Sequence, residues 1–172
     1  APVTNAMTVP NDRLDSDGLR YSVVSSAAVP TPDQLRAAPR ADPEIVGRTN
    51  ISPEGVPAEI QARARELTSG LPTDYDKVIA IQDHLQSFTH VGDPEAAPGG
   101  ADPAVHLLET REGSSEDFAS AMALMARALG IPSRVAIGFT AGEPVDGRGD
   151  GAPSGLITFE VYNHDAHAWT EI

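Results

Sequence analysis

Residues 111 to 139, "REGSSEDFASAMALMARALGIPSRVAIGF", constrain the fold more than any other stretch, because they join one strongly apolar helix to a strand across an abrupt stop. Ser114 with Asp117 three residues on is a variant of the capping box. The acidic pair Glu116 and Asp117 suits the positive end of a helix dipole. Phe118, Met122, Met125 and Leu129 recur at helical spacing, which predicts a face buried between this helix and neighbouring strands. Gly130 then ends the helix, and "RVAIGFT" (134–140) reads as a buried strand. A central helix packed on a sheet is the expectation.

The flanks extend that pattern. Upstream, "PAEIQARARELTSG" sets Ile60, Ala64 and Leu67 on one face and finishes at Gly70. "PTDYDKVIAIQDHLQSF" sets Val78, Ile81, Leu85 and Phe88 on a stripe behind a Thr73 cap. After a loop, "AVHLLET" reads as a short helix begun by Asp102 as cap and Pro103 in the first turn. Downstream, "AGEPVDGRGDGAPSG" reads as a mobile loop, "LITFEVY" as a second strand and "AHAWTEI" as a third. Helices followed by antiparallel strands make an α+β domain over residues 57–172. Residues 1–56 are polar and punctuated by proline, an extended segment or linker. In it only "LRYSVVSSAAV" (19–29) has strand composition, and "PTPDQLRAAPRADPEI" breaks the pattern repeatedly.

Charge narrows the possible partners. With 25 acidic and 12 basic residues the net charge is -13, and that field repels nucleic-acid phosphates and anionic lipid headgroups. No window reaches the roughly 18 apolar residues of a membrane span, and no signal peptide is evident at the start. A soluble, monomeric domain is expected, tied to a membrane only through segments outside it. The chain has no cysteine, which removes disulfides, thiolate metal sites and thiol catalysis together. The sequon Asn50-Ile51-Ser52 and the tripeptide Arg148-Gly149-Asp150 read as chance occurrences in polar segments.

Position 115 carries the chemical interest. At the first turn of the helix, unpaired N–H groups and the dipole favour an anion, so a thiol there would be acidified from its free pKa of about 8.5. Ser115 gains far less, because a hydroxyl needs a positioned base during attack. The candidate base is His167, distant in sequence but on a strand expected to pack against that helix. By periodicity alone, His167 reads first as a structural histidine. A metal reading of His164, Asp165 and His167 lacks a third or fourth ligand, so no metal and no cofactor is expected. His84, His90 and His106 read as surface or helix-end residues.

"EGSSEDFASAMALMARALGIPSRVAIGF" followed by "DAHAWTEI" resembles the core of the bacterial transglutaminase-like superfamily, with its papain-like Cys-His-Asp arrangement. "YDKVIAIQDHLQSFTH" and "GLRYSVVSS" are similar to segments that its members place upstream. The likeness is greatest to actinobacterial and proteobacterial membrane proteins that hold the domain outside the cytoplasm. The resemblance implies a papain-like, transglutaminase-core fold, with the family nucleophile at Ser115 and its general base at His167. It also implies cleft positions at Glu116, Phe118, Trp169 and His90. Two departures follow: serine stands where the family has cysteine, and the sequence stops at Ile172, ahead of the strand expected to carry the acid or amide that orients the histidine. Asp165 is poorly placed to substitute, being two residues before His167 on the same strand. The serine is read as native rather than introduced. The function so implied is acyl transfer from a glutamine-like carboxamide or a peptide carbonyl to an amine or water, inactive or impaired with serine at 115. The alternative is a non-catalytic module that binds a peptide, such as a cell-wall peptide, or that serves structurally.

Overall fold

The computed structural model describes residues 29–40, 42, 44, 47, 52–92, 94–95, 97–144 and 159–172. The chain forms two units, Ala1–Ala38 and Pro39–Ile172. In the first, α1 (Pro32–Ala37) lies in the proline-rich stretch expected to break regular structure. Proline at the first helical position is compatible with a helix, since its missing N–H has no intrahelical partner there. A complete capping box holds the turn: Thr31 Oγ1 accepts the Gln34 N–H at 3.3 Å, and the Thr31 N–H donates to Gln34 Oε1 at 2.7 Å. The strand expected over 19–29 lies outside the described residues apart from Val29, which is exposed.

The second unit begins with helices. α2 (Ala58–Leu67) buries Ile60 and Ala64, with Leu67 half-buried at its end. α3 (Asp74–Gln86) starts where Thr73 Oγ1 accepts the Asp76 N–H, and it buries Ile81 and Leu85. α4 (Pro103–Thr110) starts where Asp102 Oδ1 accepts the Ala104 N–H, and it buries Ala104 and Leu107. α5 (Ser115–Ala128) packs against all three, so that Met125 joins Ile60, Ile81 and Leu107 in a core where none is more than 1% exposed.

The helix face differs from the expectation. Met125 packs among the helices rather than between helix and sheet, while Phe118, Met122 and Leu129 are half-buried beside that core, and Phe118 and Met122 also line a cavity shared with residues 167–170. The sheet side of α5 is built from small residues: Ala119 gives its carbonyl to the Thr170 hydroxyl, and Ala123 gives its carbonyl to the Ser133 hydroxyl, each at 2.8 Å. Alanine lets a strand approach the helix backbone closely enough for side-chain hydroxyls to reach it. α5 ends in a Schellman motif about Gly130 (φ 71°): the Gly130 N–H donates to Arg127 O and the Ile131 N–H to Ala126 O.

Three strand pairs follow from β1 (Thr89–His90), β2 (Glu112–Gly113), β3 (Arg134–Phe139), β4 (Glu143–Pro144), β5 (Phe159–Glu160) and β6 (Ala166–Glu171). β3 and β6 are antiparallel, in register from Arg134 opposite Glu171 to Phe139 opposite Ala166, and β4 pairs with β5 in the same sense. The short pair β1 and β2 is parallel and was not expected, since two residues carry no periodicity to read. β3 is a strand as expected but is not buried: Ile137 is 73% exposed and Phe139 58%. The strand expected over 156–162 is seen as β5 alone, its first three residues lying outside the described residues. The Asn50 sequon and the Arg148-Gly149-Asp150 tripeptide lie outside them too. No helix among the described residues is long and apolar enough to cross a membrane.

Candidate active site

The geometry of position 115 begins with a division of labour between two adjacent serines. Ser114 is the cap: its Oγ accepts the Asp117 N–H at 3.3 Å, while Asp117 Oδ2 accepts both the Ser114 N–H and the Ser114 hydroxyl at 2.8 Å. Ser115, the first helical residue, is thereby released from capping. Gly113 makes the entry possible, because a Cβ there would lie 2.8 Å from Leu107 Cδ1 and 3.1 Å from Asp117 Cβ. On its other side Gly113 is held by β1, where it lies opposite His90 and its carbonyl accepts the Val91 N–H.

β6 is fastened to the first turns of α5 at two points. The Ala168 N–H donates to Ser115 Oγ at 3.3 Å, and the Thr170 hydroxyl donates to Ala119 O at 2.8 Å. Since antiparallel pairing alternates inward and outward backbone groups, an Ala168 N–H given to Ser115 places the first turn of α5 along the β6 edge away from β3. His167, one residue earlier and opposite Gly138, is therefore brought to the same end of the helix. Its imidazole is exposed, and it forms no hydrogen bond with Ser115 or with any other described residue. Asp165 is occupied elsewhere: Oδ2 accepts the Tyr162 N–H at 2.7 Å, and Oδ1 lies 3.9 Å from His164.

A cavity of about 640 Å³ opens at this junction. Of the residues expected to form a site, Ser115, His167, Phe118, Trp169 and His90 all border it; Glu116 is exposed on the first turn of α5 and does not. The aromatic wall is continuous: Phe88 and Phe118 have ring centres 6.4 Å apart, and His90 and Phe118 6.3 Å apart. Behind it, burial first and then the charges of Arg63 and Arg111 hold His84 below the ordinary imidazole pKa, with Glu66 opposing. No aspartate, glutamate, lysine or arginine borders the cavity among the described residues. No group of three or more His, Asp or Glu among those residues is placed to hold a metal ion. His164 stacks on Tyr162 at 5.3 Å.

The model of the transglutaminase-like superfamily matches residues 61–172, which contain the whole of this junction. The chain belongs to the transglutaminase-like superfamily. Among curated relatives it is 35% identical over 124 residues to the uncharacterized protein YebA of Bacillus subtilis, covering 70% of this chain and 16% of that protein. It is 31% identical over 142 residues to a protein-glutamine gamma-glutamyltransferase of Pseudomonas aeruginosa, covering 75% of this chain and 20% of the relative. The chain thus spans a fifth or less of the length of these two proteins. The crystal structure of the periplasmic domain of TgpA from Pseudomonas aeruginosa has a TM-score of 0.58 and 32% identity to it, over 76% of this chain and 43% of that one. The fold is the α+β transglutaminase-like core.

Two features bear on the side chain of residue 115, the N–H groups of the helix start and the Ala168 N–H directed at it. Both favour an anion on that atom. Glu116 and Asp117 in the same turn oppose it. Sequence reasoning missed Gln82 and Gln86, which border the cavity from α3. They follow Val78 at four-residue intervals, a spacing that reads equally well as the solvent face of an amphipathic helix.

Proposed function

We propose that this chain is the cleft-bearing part of a transglutaminase-like acyl-transfer protein, with position 115 as the nucleophile site and His167 as its base, and that serine at 115 leaves it inactive or impaired. In the parent reaction the nucleophile attacks a glutamine carboxamide or peptide carbonyl. Ammonia or the amine departs with a proton from the imidazole, and an amine or water takes the acyl group. The observation that carries the reading is that Ser115 and His167 border one cavity, with Ser115 Oγ accepting the N–H of the residue after the histidine. Impairment is argued from the missing bond: the hydroxyl has no hydrogen bond to the imidazole that would have to take its proton. The same observation favours a second reading, a module that holds a protein or cell-wall peptide without turnover. The domain is proposed to act outside the cytoplasm as a monomer, in a membrane-anchored protein of actinobacterial type. Its likeness to a periplasmic domain supports the extracytoplasmic part of that proposal.

The Ser115→Cys variant tests the site. Its thiol pKa, taken from the pH dependence of alkylation, is expected below about 8.5 and should rise toward that value when His167→Ala is added. A thiol pKa that is ordinary and indifferent to His167 would leave position 115 as a helix-start residue and nothing more.

A further inference from the structure

Arg111 is the single described residue other than glycine with a positive φ, at 63°. A left-handed backbone is unfavourable for a residue with a side chain, so the surrounding structure must hold it there. Its main chain is fixed at both ends: the N–H donates to Leu107 O, closing α4, and the carbonyl accepts the Thr89 N–H, opening the β1 and β2 pair, each at 2.8 Å. Its side chain reaches back to the end of α3, where Nη2 donates to Ser87 Oγ at 2.8 Å and the guanidinium lies 4.7 Å above the centre of the Phe88 ring. One residue therefore joins the ends of α3 and α4 to the strand that feeds the Ser114 cap.

The consequence falls on the cavity. Phe88 borders it and leads through Phe118 to His90, while Ser115 lies four residues after Arg111 along β2 and the cap. We propose that Arg111 is a positioning residue of the cleft. Its guanidinium clamps the wall of Phe88, Phe118 and His90 against the strand pair leading to position 115, so that the cleft accepts an uncharged aromatic or large apolar side chain beside the reacting group. The proposal rests on reading position 115 as the reactive position. The side chain, not the left-handed backbone, supplies the clamp; glycine at 111 would keep the backbone without strain and lose the contacts.

The test uses the 172-residue chain carrying Ser115→Cys and compares alkylation by iodoacetamide with alkylation by N-benzyl iodoacetamide, which places a ring beside the same reacting carbon. The benzyl reagent is expected to be preferred. That preference should fall by about threefold or more in Arg111→Gly and Arg111→Ala, be partly kept in Arg111→Lys, and fall similarly in Phe88→Leu. Arg111→Gly should melt no lower than Arg111→Ala, which guards against reading a folding defect as a lost clamp. An unchanged ratio of the two rates in both the glycine and alanine variants would overturn the proposal, including the case in which both reagents slow equally. The ratio reports on the wall whether or not His167 lowers the thiol pKa, so failure of the clamp and failure of the acyl-transfer reading give different results.

Discussion

α5 has two working sides, and they are held by different forces. Toward α2, α3 and α4 it presents Met125 into a core with Ile60, Ile81 and Leu107, all essentially inaccessible to water. Toward the strands it presents Ser115, Ala119 and Ala123, and the links to β6 and Ser133 are hydrogen bonds between a hydroxyl and a main-chain group. The first side is a large apolar burial, non-directional and tolerant of small shifts. The second is directional. It fixes where β6 runs along the helix, and with it where His167 stands relative to position 115. Stability is concentrated on one side of the helix and the geometry of the site on the other.

The comparison can be broken most readily at Met125. Met125→Ala should destabilise the chain by about 2 to 5 kcal/mol in denaturant unfolding, because it opens a cavity in the core between the helices. A loss no larger than that of an exposed residue would show that the helical side does not carry the stability. Next in size is the cap: Ser114→Ala should cost about 0.5 to 2 kcal/mol, and Ser115→Ala less, because the capping oxygen belongs to Ser114. Equal losses would mean that the bond from Ala168 to Ser115 is as important for stability as the cap, and would weaken the separation of roles. The smallest effect is expected on the far half of the sheet. Ile137→Ala should stay within about 0.5 kcal/mol, since that side chain is already largely exposed. A large loss on thermal melting would place Ile137 in a buried contact.

Much of the helical half was legible in the residues. Thr73, Asp102 and Ser114 each stand at a helix start with an oxygen one reach from an unpaired N–H, and the structure has each of them capping. Capping is local, decided within three residues, so the sequence carries it whole. The same locality explains the end of α5 at Gly130. α1 is hard to read from the sequence because its prolines outweigh the capping box of Thr31 and Gln34, which ends five residues before Pro39. The burial of β3 was misjudged for the opposite reason. Apolar composition says that a strand could be covered on a face, and only the packed structure reveals that Val135, Ile137 and Phe139 are not.

The site divides in the same way. By itself the sequence determined that position 115 begins a helix, that serine and not cysteine occupies it, and that a histidine follows on a strand 52 residues later. These are facts of local pattern and of chemistry, which need no knowledge of distant neighbours. Tertiary structure alone decided that Ser115 Oγ meets the Ala168 N–H rather than the His167 ring, that Glu116 turns away from the cavity, and that Phe88 joins its wall. Those outcomes depend on the lateral position of β6 against α5 and on the parallel pairing of two-residue strands. The first is held by the Ser115 and Thr170 hydroxyls against β6 and the helix backbone, and the second leads into the space left at Gly113; these are contacts between residues far apart in the chain, which no local pattern reveals.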